Sequence, residues 1–250
     1  MSHGPREATS SGFARSAAYV TTELTRLGYR VQRQPLRVPA GMSWAVPVPA
    51  GTTINVVADP PGFDPARPHV LLGAHLDTVP QAPGGEDNAS GVAVLLELAR
   101  MLRQEPGRLP VRLVAFSAEE ARAATAGGYA FGSRHYIASL TPAQRRAVVA
   151  MVSLDRVGVR AGTVPVCSTG RGPASVADSL RRAGAAVPTN GCRNRASDHW
   201  SFDMAGIPAA RVGSVPYRQY HSAGDVPGVL DPRQLQWVGA LLWSWLRPTA

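Results

Sequence analysis

A chain of 250 residues with 44% hydrophobic residues can bury the core of one large α/β domain, and 1–250 is expected to form a single domain. No stretch approaches the roughly 20 apolar residues that span a bilayer, and two cysteines are too few for a disulfide framework or a cysteine-rich zinc site. The net charge of +9 comes from 26 arginines with no lysine, scattered along the chain, so it suggests solvated surface and not a track for nucleic acid.

Residues 1–11 are polar and lack the apolar stretch of a secretory signal, which predicts a cytoplasmic protein unless a signal has been removed. Phe13, Ala17, Val20, Leu24 and Leu27 recur at helical spacing and predict a first helix ending near Gly28. Residues 29–38 alternate like a half-exposed strand, 39–51 form a Pro/Gly-rich loop, 53–58 a second strand, and 59–68 a proline-rich turn. A buried strand over 70–74 leads through a glycine-rich loop to Asp87. Beyond it Asn88 or Ser90 can cap a helix whose core face is Val94, Leu95, Leu98, Met101 and Leu102.

Further buried strands follow at 111–117 and 148–154, with a helix near 132–140 between them. The remaining expectations are a helix over 173–183, a short strand over 209–212 and a closing helix over 233–246. Strand and helix in alternation imply a largely parallel sheet covered on both faces. Cys167 and Cys192 could pair or remain two thiols.

His75 and Asp77 follow the strand at 70–74, Glu119 and Glu120 follow that at 111–117, and Asp155 follows that at 148–154. In open α/β sheets ligands collect beyond such carboxyl ends. Asp77, separated from His75 by one residue, can point the same way in an extended segment and accept the second ring N–H of a metal-bound imidazole. Asp87 stands before a helix whose cap is available elsewhere, so it can bridge two metals. The adjacent acids Glu119 and Glu120 diverge, letting one ligate while the other acts as a base. With His221 the set offers five ligands without thiolate, which suits zinc and exceeds what one tetrahedral ion needs. Two metals sharing a carboxylate imply hydrolysis.

The segments GAHLDTVP (73–80), EDNASGVAVLLELAR (86–100), VRLVAFSAEE (111–120), FGSRHYIASL (131–140), SLDRVG (153–158), SDHWSFDMAGIPA (197–209) and YHSAGD (220–225) resemble the dizinc leucyl aminopeptidases and their aminopeptidase Y relatives. The resemblance implies a three-layer α/β/α sandwich with a mixed, mostly parallel central sheet. It implies two Zn2+ per chain, with His75 and Asp155 on one, Glu120 and His221 on the other, and Asp87 bridging both. It also implies that Asp77 orients His75, that Glu119 is the general base for a metal-bridging water, and that Tyr220 donates its hydroxyl hydrogen to the oxyanion. The substrate would be a peptide or small aminoacyl compound cleaved at its N-terminal residue, and the expected state is a monomer.

Two departures concern the pocket. The stretch 121–131 is longer and richer in Ala and Gly than is usual in the family, and Arg156 stands where a hydrophobic residue usually follows the ligand Asp. Arg193 and Arg195 read as exposed loop charges. The competing readings are a one-zinc glutaminyl cyclase on the same fold and a non-catalytic protein of this fold.

Overall fold

The computed structural model describes residues 4–123, 127–171, 173–184, 186–213 and 215–247. Its strands in chain order are β1 (Arg30–Val38), β2 (Gly41–Ser43), β3 (Val46–Val48), β4 (Gly51–Asp59), β5 (His69–His75), β6 (Val111–Phe116), β7 (Val148–Asp155), β8 (Val164–Ser168), β9 (Thr189–Arg193) and β10 (Ala209–Gly213). Eight of them form one sheet in the order β1-β4-β6-β5-β7-β10-β8-β9. The central four, β6-β5-β7-β10, are mutually parallel, while β1, β4 and β6 run alternately and β8 opposes β10. The sheet is therefore mixed and mostly parallel, as expected.

The helices are α1 (Ser11–Arg26), α2 (Gly91–Gln104), α3 (Phe131–Ser139), α4 (Pro142–Ala147), α5 (Ser175–Ala183), α6 (His199–Met204) and α7 (Pro232–Leu246). Burial explains why the central strands are nearly unbroken apolar runs. Val70, Leu72 and Ala74 of β5 meet a core built with α1, α2, α5 and α7, whereas Leu71 meets a second core that includes Tyr136 of α3 and Phe202 of α6. A strand covered on both faces cannot afford alternation.

Local chemistry sets the helix starts. Ser10 accepts the Phe13 N–H to cap α1, and Asn88, not Ser90, caps α2 by accepting the Gly91 N–H at 3.1 Å. The Ser90 hydroxyl instead donates back to the Glu86 carbonyl. A Cβ at Gly91 would lie 2.5 Å from the Leu154 carbonyl, so glycine lets the start of α2 rest against the end of β7. Gly213 has φ of +110°, and a Cβ there would meet the Asp155 carbonyl at 2.2 Å, so the β7–β10 pairing at this edge also requires glycine.

One expectation needs correction. The stretch 39–51 is not a plain loop: β2 and β3 form a hairpin whose turn is the left-handed pair Trp44 and Ala45, with φ of 47° and 65°. Hairpin turns of this hand usually announce themselves with Asn or Gly, which are missing here. α4 went unforeseen although Thr141 and Gln144 form a capping box. Cys167 and Cys192 face each other in the β8–β9 register and are joined by a disulfide.

Candidate metal centre

The carboxyl ends of β5, β6 and β7 deliver their residues to one edge, since His75 pairs with Phe116 and Gly73 with Ser153 across the ladder. His75 Nε2 lies 3.0 Å from Asp87 Oδ1 and 3.5 Å from Asp155 Oδ1. His221 Nε2 lies 3.1 Å from Asp87 Oδ2 and 3.3 Å from Glu120 Oε1. Two buried triads result, His75–Asp87–Asp155 and Asp87–Glu120–His221, each with ligand atoms within 4.8 Å of one another.

The donor set passes a physical test for cations. Glu120 Oε1, Asp155 Oδ1 and His221 Nδ1 are buried without a hydrogen-bond partner, a costly state that a bound ion at the carboxylates would relieve. Imidazole nitrogen and carboxylate oxygen without thiolate suit a borderline divalent ion.

Backbone contacts hold the triads in place. The Asp87–Asn88 peptide is cis. Asp225 accepts the N–H groups of Glu86 at 2.7 Å and Asp87 at 3.2 Å, and it also accepts the Tyr217 hydroxyl hydrogen. Asp77 departs from the expected arrangement. The His75 Nδ1–H donates to the Asp77 backbone carbonyl at 3.1 Å, while the nearest carboxylate oxygen is 3.8 Å away. That carboxylate accepts the N–H groups of Glu119 and Glu120.

Crowding of acids displaces their proton affinities. Burial raises Glu119 well above the usual carboxylate range, opposed by His75 and reinforced by Asp155, Asp198 and Glu120. Burial and then the charge of Asp87 push Glu120 up to about 7. Asp87 goes the other way to about 2, because hydrogen bonds from His221 and His75 outweigh its burial. Against burial, Arg211 and His75 hold Asp155 well below the usual range. Of the triad carboxylates, Glu120 thus has the strongest tendency to hold a proton, at a place where a cation would compete with it.

Glu119, Glu120, Asp87, Asp155, Tyr220 and His221 line one cavity of about 170 Å³. Its mouth carries Trp44, whose ring meets His221 edge-on at 4.3 Å between centroids. The hairpin bearing Trp44 is held by Arg122, whose Nε donates to the Pro39 carbonyl at 2.8 Å and whose other nitrogens reach Pro49 and Glu7. The first part of the long 121–131 stretch therefore anchors the hairpin. Residues 124–126 lie outside the described residues.

Sequence reasoning missed three further groups. Arg211 of β10 is buried and meets Asp155 Oδ2 at 3.0 Å. Asp198 is fully buried, is pushed by burial up to about 7, and contributes to the raised proton affinity of Glu119. Trp44 sat in a segment read as a loop. An arginine inside the apolar run 209–213 was the available signal for the first. Arg193 and Arg195 are exposed, and Arg195 donates to the Thr169 carbonyl.

The model of Peptidase family M28 matches residues 55–246. Aminopeptidase YwaD of Bacillus subtilis is 30% identical over 185 residues, covering 69% of this chain and 39% of that protein. The structure of BSAP, a zinc aminopeptidase from Bacillus subtilis, superposes with a TM-score of 0.85 at 18% identity over 99% of this chain and 92% of that one. Fimbriiglobus ruber glutaminyl cyclase gives 0.81 at 24% identity over 98% and 90%. Likenesses at those identities show the fold alone. The chain spans less than half the length of the curated relatives it first matches.

Proposed function

The chain belongs to peptidase family M28, and from that premise we propose that it is a dizinc aminopeptidase removing the N-terminal residue of a peptide or small aminoacyl substrate. The observation that carries this reading is the Asp87 carboxylate, with one oxygen 3.0 Å from His75 Nε2 and the other 3.1 Å from His221 Nε2. One side chain thereby serves two ligand triads.

His75 and Asp155 would hold one zinc, Glu120 and His221 the other, and Asp87 both. Bound there, the pair supplies Lewis acidity at the scissile carbonyl and lowers the pKa of water. Glu119 takes the proton of the attacking water and returns it to the leaving amine. Tyr220 lines the same cavity as Glu119 and Glu120, with its ring stacked on His221 at 3.7 Å between centroids, which supports its role as donor to the oxyanion. Asp77 positions the Glu119–Glu120 segment through its amides. The carboxylates around the metals receive the substrate's terminal ammonium, which limits cleavage to one residue at a time.

Residues 1–250 act as one catalytic domain and as a monomer on small peptides, and their dispersed arginines give no continuous track for nucleic acid. Among the described residues no helix is long and apolar enough to cross a membrane. The Cys167–Cys192 bond supports an oxidising compartment over the cytoplasm expected from residues 1–11.

Zinc analysis paired with aminoacyl-nitroanilide and N-terminal glutaminyl substrates tests the reading. Two zinc ions per chain with release of nitroaniline from the leucyl substrate are expected. One zinc with ring closure of glutaminyl peptides would establish the cyclase reading instead, and bound zinc without turnover would establish a non-catalytic protein.

A further inference from the structure

The chain between the ligands His75 and Asp87 includes 76–84, a stretch with Pro80, Pro83 and Gly84 that forms neither helix nor strand. A fully buried arginine from the segment before α1 reaches both ends of it. Arg6 Nε donates to the Leu76 carbonyl at 2.9 Å, Nη1 to that of Pro83, and Nη2 to that of Gly84 at 3.0 Å. The backbone adds a clasp, since the Arg6 N–H donates to the Thr78 hydroxyl at 2.7 Å and the Thr78 N–H donates to the Arg6 carbonyl at 3.2 Å.

Leu76 and Thr78 flank Asp77, which sets the Glu119–Glu120 segment. At the other end the Gly84 carbonyl also takes the Ala89 N–H at 3.0 Å, across the turn that contains Asp87. Asp225 secures that end through the Glu86 and Asp87 amides, and the guanidinium ties it to the end that follows His75. A planar fork can meet three separate carbonyls, whereas an ammonium presents one nitrogen. Burial disfavours the charge of Arg6, while Asp77, Asp225, Asp87 and Glu120 favour it.

We propose that Arg6 is a positioning residue for the metal pair, which clamps the 76–84 loop so that His75 Nε2 and Asp87 Oδ1 keep their 3.0 Å spacing. The inference rests on the dizinc reading above and adds to it a residue far from the ligands in sequence. Charge and clamping act in opposite directions on zinc. Loss of a cation near carboxylates would by itself tighten zinc binding, whereas a loosened loop weakens it because the ligands must be ordered at the moment of binding.

Zinc titration of metal-free protein against a chelating indicator tests this, with urea unfolding of the same samples. Arg6→Met should raise the zinc Kd by about 10–100-fold, the usual cost of removing a support behind metal ligands. Arg6→Lys keeps the charge without the fork and should stay at least about tenfold weaker than the wild type. An unchanged or tighter Kd in Arg6→Met, with or without a loss of stability, would reduce Arg6 to a fold or charge element and overturn the proposal. Full rescue by lysine would show that a cation alone suffices and overturn it too. Should a variant fail to fold without metal, hydrogen exchange on metal-free wild-type protein decides. The Thr78 and Ala89 amides should be protected there, and protection that appears only after zinc is added would mean that the metal orders the loop, against the proposal. The readout needs no turnover, so it stands whether or not leucyl substrates are cleaved. Wild-type protein that binds no zinc would sink the dizinc reading itself, an outcome distinct from unchanged binding in the variant.

Discussion

The Asp77 carboxylate accepts the backbone N–H of Glu119 at 3.1 Å with one oxygen, and with the other it accepts that of Glu120, also at 3.1 Å. One buried side chain thus sets where both members of the acidic pair stand. The Asp77 carbonyl meanwhile takes the His75 ring N–H.

Asp77→Asn separates these two functions, because an amide nitrogen cannot accept an N–H while the backbone carbonyl is unchanged. Turnover should fall about 10–100-fold, the usual cost of a lost supporting hydrogen bond at a metal site, with two zinc ions still bound. Kinetics and metal analysis on the same sample check this. Full activity would mean that the Glu pair holds its place without Asp77.

Glu119→Gln keeps the shape of the side chain and removes its ability to take a proton. A general base contributes about 10²–10⁴-fold, so kcat should drop by that order while zinc content stays the same. Loss of zinc together with activity would make Glu119 a ligand instead of a base.

Most of this centre was legible in the sequence because its members end strands whose apolar runs are unmistakable. His75, Glu119, Glu120 and Asp155 all follow such runs, and the glycine-rich approach marks Asp87. What escaped depends on contacts remote in sequence. Arg211 looks like an interruption of a short strand until β10 is laid beside β7, where it meets an acid 56 residues away. Trp44 escaped because its turn uses Trp-Ala in left-handed conformation, which no turn signal announces. The Asp77 contact was misread because spacing shows only that two side chains can face one way. It does not show which oxygen the ring N–H will choose.

The sheet also contains an ion pair remote from the centre. Arg112 Nε meets Asp59 Oδ1 at 2.6 Å and its Nη2 meets Asp59 Oδ2 at 3.0 Å, with both residues buried. Among the described residues Asp59 Oδ2 is otherwise met only by the exposed Arg30 at 3.2 Å, so Arg112→Met leaves the buried carboxylate with one weak partner and should cost about 3 kcal/mol in urea unfolding. Asp59→Asn combined with Arg112→Met should cost less than Arg112→Met alone. A double variant as unstable as the sum of the singles would refute the pairing.

The Cys167–Cys192 bond closes a loop across 25 residues at the outer edge of the sheet. Loop-closure entropy predicts that Cys167→Ser with Cys192→Ser lowers unfolding free energy by about 3 kcal/mol. Wild-type protein under a thiol reductant should lose a similar amount. No difference between oxidised and reduced wild-type protein would mean that the bond does not form in solution.

His199 should give the fold an acid-sensitive step. It is fully buried, its Nε2–H donates to the Asn194 carbonyl at 2.9 Å, and its Nδ1 has no hydrogen-bond partner. Burial, and then the charge of Arg211, push its pKa down to about 4. In an unfolded chain the value returns to roughly 6.5. Between those limits the unfolded state binds a proton that the native state refuses, so stability rises with pH through the window. The contribution is fully present above pH 6.5 and is lost as pH falls toward 4, amounting to about 3 kcal/mol. His199→Gln keeps an N–H donor for Asn194 and removes the titration. Metal-free protein, unfolded in urea at pH 7.5 and at pH 4.5, excludes any contribution from metal release. The variant should be less stable at the higher pH yet lose about 2.5 kcal/mol less than the wild type on acidification. Equal acid slopes would assign the sensitivity to the carboxylate cluster.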